Sequence, residues 1–197
     1  MKTSIGPKTL LYPAPVLVVG TYDSEGRPNA MTAAWGGICC SKPPCVTVSL
    51  RRATYSFGNI ETSRAYTLSI PDEAHAAAAD YFGIATGKTT DKFKQTGLTP
   101  TPAEHVHAPY VAEFPVVLEC KLLQTVEIGL HTQFIGEVMD IKADPEVLGP
   151  DGLPDIEAVR PILFAPESRK YYGLGQYIGD AFSIGKVKDL RGFKNFD

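Results

Sequence analysis

The chain has 197 residues, of which 44% are hydrophobic and 21% charged, and its net charge at pH 7 is −3. These values are typical of one folded domain with a real hydrophobic core, and they exclude a disordered chain. The slight acidity and the lack of basic runs argue against nucleic-acid binding. The 18 glycines and 16 prolines follow no period, which excludes collagen and indicates a turn-rich, mostly β fold.

The first part of the chain is predicted to be extended, with two helices. Residues 15–22 form an apolar β-rich run closed by a hairpin-type turn at residues 23–26, and residues 29–40 resume as one extended segment. Residues 45–51 alternate apolar and polar side chains, which predicts a strand with one polar face. Thr54 is expected to cap a short helix through Ile60. A strand over residues 65–70 precedes an alanine-rich helix from Asp72 to about Phe82.

The rest of the chain is predicted to contain a long loop and a hairpin. Residues 83–109 are rich in Gly, Pro and Thr with a brief helical piece at 91–95, and such long loops tend to be functional. Residues 115–128 and 132–142 are expected to pair as antiparallel strands, followed by a last core strand at 161–164 and a glycine-punctuated tail. We expect one domain over residues 1–197, with a C-terminal extension from about residue 166. The fold class predicted is mostly β with inserted helices, built on a Greek-key antiparallel barrel.

Two features of the sequence bear on the cellular compartment of the protein. The apolar runs near the start are broken by Pro13 and Pro15, so they are too short for a signal peptide or a membrane span. The four cysteines do not resemble the disulfide framework of a small secreted domain. The expectation is a cytoplasmic protein with reduced thiols and no membrane partner.

Several motifs fail on spacing or context. Residues 83–89 imitate a phosphate loop but are one residue short and follow a helix, and residues 173–179 imitate a dinucleotide fingerprint with the third glycine one residue late. No Gly-x-Ser-x-Gly nucleophile elbow is present. A possible set of soft metal ligands has no zinc-site spacing, so no metal is expected. This set comprises Cys39, Cys40, Cys45, His105 and His107.

Six other segments are informative when their order along the chain is considered. It comprises residues 29–35 (NAMTAAW), 41–44 (SKPP), 49–51 (SLR), 54–56 (TYS), 91–93 (DKF) and 129–138 (GLHTQFIGEV). This order resembles the flavin reductase-like FMN-binding proteins, and residues 33–44 (AAWGGICCSKPP) are most similar to the flavoredoxin group of that family. Residues 171–175 and 181–186 resemble the same group, so the resemblance covers essentially the whole chain.

The resemblance implies a split β-barrel, a homodimer and an FMN held noncovalently near the dimer interface. It places residues 31–35 along the flavin ring and ribityl chain, and residues 49–51 and 55–56 around the lower ribityl chain and phosphate. Lys92 is implied as a second cation at the phosphate, and His131 as a neighbour of the ring that can tune the flavin. The implied cofactor-binding residues are Asn29, Met31, Thr32, Ala33, Ala34, Trp35, Ser49, Leu50, Arg51, Tyr55, Ser56, Lys92 and His131.

The residue chemistry agrees with this assignment independently. An FMN phosphate needs an arginine fork, hydroxyls and free backbone N–H groups, and Ser49, Arg51, Thr54 and Ser56 gather these where a strand runs into a helix. The small residues of segment 30–37 let the backbone approach a flat ring. Taken singly, a residue such as Trp35 is more typical of a core, and only the joint pattern indicates a site.

Three functions remain open at this point. The first is a flavoredoxin-type redox protein that retains FMN and transfers electrons between redox partners. The second is an NAD(P)H:flavin oxidoreductase that supplies reduced FMN to a partner. The third is a barrel that binds a different ligand without redox chemistry. The similarity of residues 33–44 to the flavoredoxin group favours the first.

Overall fold

The strands and helices are taken from a computed structural model that describes residues 1–186. The strands are β1 (Ala14–Pro15), β2 (Leu17–Tyr22), β3 (Pro28–Ala33), β4 (Gly36–Ser41), β5 (Pro44–Arg51), β6 (Ala65–Ile70), β7 (Pro100–Pro102), β8 (Pro109–Val111), β9 (Val116–Ile128), β10 (His131–Ala143), β11 (Leu163–Ala165) and β12 (Lys170–Tyr172). The α-helices are α1 (Tyr55–Ser63), α2 (Ala76–Ile84), α3 (Lys92–Thr96) and α4 (Ile156–Val159). Short 3₁₀ turns lie at Glu73–His75 and Pro145–Val147.

Seven strands form one antiparallel sheet in the order β3-β2-β6-β9-β10-β5-β4. The outermost strands, β3 and β4, are consecutive in the chain and are joined only by Ala34 and Trp35. A two-residue link can join opposite edges of a sheet only if the sheet curls until those edges meet. The predicted split β-barrel with inserted helices is therefore confirmed.

Close contacts mark the place where the two ends of the sheet meet. The Ser49 N–H donates to the Trp35 carbonyl at 2.8 Å. A Cβ at Gly36 would lie 2.6 Å from the Thr47 carbonyl oxygen and 2.7 Å from Leu17 Cδ1, so only glycine fits between β5 and β2. The barrel is thus tightly packed at Gly36, just beyond the link.

Two hydrophobic cores lie on opposite sides of β2. Val19 belongs to the core inside the barrel, with Phe57, Tyr66 and Phe134, whereas Val18 packs into an outer core that α2 and α3 cover. Neighbouring strand residues point to opposite faces, so one strand supplies both cores. The outer core fixes α2 and α3 against β3, which positions the loop that connects these helices.

The structure differs from the predicted elements at several places. The single extended segment predicted over residues 29–40 is two strands, because the chain changes sheet edge at the link. Asp72 accepts the His75 N–H as predicted for a cap, but the first turn is 3₁₀ and the α-helix begins at Ala76. The predicted loop over residues 83–109 contains β7 as well as α3. Proline at positions 100 and 102 hid this strand, which lies at an edge of a two-stranded sheet.

The C-terminal part is only partly covered by the structure. Residues 170–172 of the predicted tail form β12, which pairs with β11 in a three-stranded sheet with β1. Residues 187–197 of the predicted extension lie outside the described residues. Up to Lys186, no helix is long and apolar enough to cross a membrane.

Replacing Gly136 should test the packing inside the barrel. A Cβ at this β10 position would overlap the Tyr66 hydroxyl and lie 2.8 Å from Tyr66 Cζ. We expect Gly136→Ala to lower the free energy of unfolding by about 1–3 kcal/mol, measured by urea denaturation. The matched control Gly37→Ala meets no atom within 4 Å and should change stability little.

A second substitution tests whether the loss of stability comes from overlap between the new Cβ and the Tyr66 hydroxyl, or from placing alanine in a strand. The Tyr66 hydroxyl is buried and has no hydrogen-bond partner within residues 1–186, so its removal sacrifices no hydrogen bond there. Tyr66→Phe should restore part of the stability lost in Gly136→Ala. Equal losses in Gly136→Ala and Gly37→Ala would contradict this account of the packing.

Candidate functional site

A cavity of about 320 Å³ opens where β5 ends and α1 begins. Its walls come from β3, from the β5–α1 corner, from the start of α3 and from the end of α2 with the loop that follows it. The residues that line it are Asn29, Met31, Arg51, Ala53, Thr54, Tyr55, Ser56, Gly83, Ile84, Ala85, Thr86, Gly87 and Lys92. Six of the predicted cofactor-binding residues therefore line one cavity.

The N-terminus of α1 faces this cavity without a side-chain cap. Thr54 occupies the cap position, but its hydroxyl donates to the Arg51 carbonyl at 2.9 Å and makes no hydrogen bond to the helix. The first turn of α1 also contains no acidic residue. Its N–H groups and the positive end of the helix dipole, with Arg51 beside them, favour an anion at this end of the cavity.

Lys92 adds a buried cation to the same cavity. Its side chain is only 4% exposed, and its ammonium donates to the carbonyl oxygens of Ala30 at 2.7 Å and Phe82 at 2.9 Å. Among residues 1–186 no carboxylate lies within 4 Å of it, and burial lowers its pKa to about 8. Such a cation is unfavourable in the empty protein and is stabilised when an anion binds.

Asn29 supplies an unsatisfied acceptor to the cavity. Its amide nitrogen donates to Ser56 Oγ at 2.9 Å, whereas its Oδ1 is buried and has no partner in the part of the chain described. A buried amide oxygen without a donor is unfavourable, and a ligand hydroxyl can supply the missing hydrogen bond. The cavity thus presents cationic groups and one strong acceptor to a ligand.

Tyr55 is held at the rim by a charged network. Its hydroxyl donates to Asp23 Oδ2 at 2.8 Å, and Arg27 Nε donates to the same oxygen at 2.8 Å. Burial raises the pKa of Asp23, but the hydrogen bonds from Arg27 and Tyr55 outweigh it and hold that pKa well below its usual range. Asp23 therefore remains ionised and fixes the Tyr55 ring.

Two further cavities follow the end of β3. One of about 290 Å³ adjoins the first at Gly83 and Ile84 and is lined by Thr32, Ala33 and Ala34. The other, of about 400 Å³, lies between Ala34, Trp35, Gly36 and residues 8–15 of the N-terminal segment. A path lined by small side chains therefore leads from Arg51 to Trp35.

Trp35 and His131 meet at the end of this path. Their ring centroids are 4.5 Å apart, and Trp35 remains 42% exposed although it packs on the barrel rim. His131 is the first residue of β10 and lies opposite Arg51 in the pairing with β5. Arg51 and His131 therefore come from adjoining strands, and Trp35 comes from the link between β3 and β4.

Three of the predicted residues do not present a free side chain to the cavities. Leu50 points into the barrel core and is 2% exposed, and neither Leu50 nor Ser49 lines the three cavities. The Thr32 hydroxyl donates to the Ala79 carbonyl oxygen, so it is already engaged. The roles of these three side chains at a cofactor stay predictions.

The loop after α2 was missed as a ligand-binding segment. Residues 83–89 are one residue short of a phosphate loop and are expected to follow a helix; in the structure Gly83 and Ile84 form the end of α2 and the loop begins at Ala85. Residues 83–87 nevertheless line the first cavity, where a Cβ at Gly87 would overlap Asn29 Oδ1 and lie 2.7 Å from Tyr55 Cδ1. The glycine-rich pattern was thus a signal of close packing at the site.

The cysteines and histidines considered as metal ligands are distributed over the fold. Cys39 and Cys40 are exposed on β4, Cys45 is buried on β5, and all are free thiols. His105 and His107 lie in the loop before β8. Up to Lys186, no three His, Cys, Asp or Glu side chains gather in a way that could hold a metal ion.

Comparison with known proteins assigns this architecture to a family. The model of the flavin reductase like domain matches residues 9–173, which include every predicted site residue. The chain belongs to this family. Flavoredoxin of Desulfovibrio vulgaris (Miyazaki F) is 55% identical, with a TM-score of 0.91 over 94% of this chain and 100% of that one. The resemblance predicted from the sequence is confirmed.

More distant relatives match over smaller parts of the chain. A ferric-chelate reductase (NAD(P)H) from Archaeoglobus fulgidus is 30% identical, covering 67% of this chain and 79% of its own length. A relative from Aeropyrum pernix is 26% identical over 82% of this chain, and the match spans 60% of that relative's length.

The buried Lys92 ammonium should make the stability of the ligand-free protein depend on pH in a characteristic way. Lys92 has a pKa of about 8 in the folded state against an ordinary value of 10.5, so between these values the unfolded state binds the proton that the folded state has lost. Stability therefore rises with pH in this interval. We expect Lys92→Met to abolish this rise, which amounts to at most about 3 kcal/mol.

The measurement is urea denaturation of the ligand-free protein at several pH values from 7 to 11. Lys94→Met is the matched control, because Lys94 is exposed on the same helix. A pH dependence that is the same in wild type and Lys92→Met would show that Lys92 is not a buried cation.

Proposed function

We propose that this protein binds FMN noncovalently and transfers electrons through it, as a redox protein of flavoredoxin type. The observation that carries this proposal is the buried, uncompensated Lys92 beside Arg51 and the uncapped α1 N-terminus. This group forms an anion site at one end of a path of small side chains. An anion site at one end of a path along small side chains fits a flavin mononucleotide, whose phosphate and ring lie at opposite ends.

The donors in the first cavity fit the phosphate and the ribityl chain. Arg51, Lys92 and the N–H groups of the first turn of α1 would hold the near-dianionic phosphate. The unpaired Asn29 Oδ1 accepts a hydrogen bond, which a ribityl hydroxyl can donate and an ionised phosphate cannot. Both the cations and the orphaned acceptor are therefore satisfied by the same ligand.

The backbone at the end of β3 fits the flavin ring. β3 is an edge strand, so the backbone groups on its outer side have no strand partner. The small side chains of Ala33 and Ala34 allow a ring to approach these groups, and Trp35, whose ring packs against His131, lines the cavity at the end of the path. When bound, the flavin supplies the two-electron chemistry, and the residues around it orient it and tune its potential.

A reductase is the second candidate, and one observation favours it. The Archaeoglobus fulgidus relative is an NAD(P)H-dependent ferric-chelate reductase. An NAD(P)H:flavin oxidoreductase would supply reduced FMN to a partner, whereas the proposed electron carrier retains its flavin. The higher identity to flavoredoxin favours retention.

Anaerobic stopped-flow measurements distinguish these functions. The FMN-loaded protein is mixed with NADH or NADPH, flavin bleaching is recorded, and gel filtration then separates free from bound flavin. The electron carrier is expected to keep the flavin after reduction. Rapid bleaching by NAD(P)H with release of FMN would establish the reductase, and an apoprotein that takes up no FMN would exclude both.

Arg51→Ala tests the phosphate site. The loss of charge-assisted hydrogen bonds should weaken FMN binding by about 1.5–3 kcal/mol, measured by fluorescence titration of the apoprotein. Riboflavin lacks the phosphate, so its affinity should not change. Arg52→Ala is the matched control, because Arg52 pairs with Glu127 and does not line the cavity.

An unchanged FMN dissociation constant in Arg51→Ala would remove this residue from the site. Equal losses for FMN and riboflavin would show that Arg51 acts on the cavity shape and not on the phosphate.

We also propose a homodimer in a reducing compartment, with the whole chain forming one domain. Strands β4, β9 and β10 and the turn between β9 and β10 expose a set of large apolar side chains that a partner copy would cover. They are Ile38, Leu123, Ile128, Leu130, Met139 and Ile141. The four free thiols support a cytoplasmic location. The pairing of β12 with β11 connects the start of the C-terminal extension to the preceding residues, which supports a single domain.

Disrupting this apolar face should separate the copies and release the flavin. Ile38 is 86% exposed on edge strand β4, and Ile38→Asp is expected to yield monomers with weakened FMN binding, measured by analytical ultracentrifugation at flavin and protein wavelengths. Ile156→Asp changes an equally apolar, 58% exposed residue on α4 and should leave the dimer intact. A wild-type holoprotein that sediments as a monomer would contradict the proposal.

A further inference from the structure

Three of the four cysteines gather at the tip of the β4–β5 hairpin. Cys39 and Cys40 lie near the end of β4, and Cys45 lies at the start of β5, with only Lys42 and Pro43 between the two strands. All three are free thiols. None of them lines the cavities that we assign to the flavin, so the proposed function leaves this cluster unexplained.

A β-bulge brings Cys40 into register with Cys45. The pairing of β4 with β5 is regular up to Ile38, which faces Val46. It then shifts by one residue and resumes with Cys40 opposite Cys45, so Cys39 is the extra residue. In such a bulge two residues of one strand oppose one residue of the partner strand. Two cysteines of β4 therefore lie against one cysteine of β5.

The register of Cys40 and Cys45 suits a disulfide. Residues that face each other in an antiparallel pair have Cα atoms about 4.5–5.5 Å apart. A disulfide usually spans Cα atoms that are about 4.4–6.8 Å apart, so the two sulfurs can be joined without a large movement of the backbone.

The two thiols differ in their exposure to solvent. Cys40 is exposed, and its thiol donates to the Lys42 carbonyl oxygen at 3.4 Å. Cys45 is only 5% exposed, and burial, followed by the neighbouring thiols of Cys40 and Cys39, raises its pKa. A reagent in solution therefore meets Cys40 first, with Cys45 protonated behind it. An accessible thiol beside a second thiol that can displace the reagent is typical of redox-active cysteine pairs.

We propose that Cys40 and Cys45 form a redox-active dithiol, which small disulfides in solution convert reversibly into a cross-strand disulfide. The Cys40 thiolate attacks one sulfur of the small disulfide, whose S–S bond breaks and releases one thiolate. Cys45 then loses its proton to solvent, and its sulfur attacks Cys40 Sγ and releases the second thiolate. The protein loses two electrons and two protons, and the small disulfide becomes two thiols. This chemistry needs no flavin, so it does not depend on the proposed function.

The test uses glutathione as the small disulfide. The FMN-loaded protein is incubated without oxygen in mixtures of reduced and oxidised glutathione, quenched with acid, denatured, alkylated with N-ethylmaleimide and weighed by mass spectrometry. With increasing oxidised glutathione, we expect the Cys39→Ser chain to lose two alkylated thiols and two hydrogens, and to retain no glutathione. Cys39→Ser serves as the background because it removes the other exposed thiol.

Two further substitutions in this background assign the reaction to the pair. Cys45→Ala should retain one glutathione on Cys40, because no second thiol displaces it. Cys40→Ser should leave Cys45 and Cys120 unmodified, since both are buried and burial raises the pKa of Cys120 to about 12. Cys40→Ser changes an exposed residue, so it tests the pair even if Cys45→Ala fails to fold.

Three outcomes would overturn the proposal. The first is that all thiols of the Cys39→Ser chain stay alkylated at every glutathione ratio. The second is that this chain retains glutathione as Cys45→Ala does. The third is a cross-link that Cys40→Ser alone retains in the otherwise wild-type chain, which would assign the disulfide to Cys39 and Cys45. A protein that takes up no FMN would contradict the proposed function only, because the ligand-free protein should give the same thiol titration.

Discussion

The link of two residues between β3 and β4 is the constraint on which the site depends. Because these strands are the opposite edges of the sheet, Ala34 and Trp35 force the sheet to close on itself. The closure leaves β3 without a second strand partner, and the chain fills that side with α2, α3 and their connecting loop. The cavities that we assign to the cofactor are the space that remains between this layer and the barrel.

The same arrangement explains why the site carries positive charge without a counter-ion. Ala30 lies on β3 and Phe82 on α2, so the Lys92 ammonium donates to one carbonyl oxygen of the barrel and to one of the helical layer that covers it. Two carbonyl oxygens orient the ammonium but do not neutralise it. Since the nearby α1 N-terminus is also uncapped, the folded protein contains an electrostatic imbalance that a phosphate removes. Stability is thereby exchanged for affinity toward an anionic ligand.

Much of the barrel could be predicted from the sequence, because alternating side chains mark strands directly. The strand over residues 65–70 and the β9–β10 hairpin are examples, and the cap residues Asp72 and Asp91 mark where helical segments begin. The change of edge at residues 34–35 could not be predicted, because no proline interrupts the run and Trp35 is typical of a strand. The burial of Lys92 was also hidden, since it depends on helices packing across a distant strand.

The most direct test of the account is a crystal structure of the FMN-loaded protein. The account predicts the phosphate within hydrogen-bonding distance of Arg51, Lys92 and the first turn of α1, with the ring along Ala33, Ala34 and Trp35. A phosphate bound elsewhere, with Lys92 still contacting only the Ala30 and Phe82 carbonyl oxygens, would contradict it.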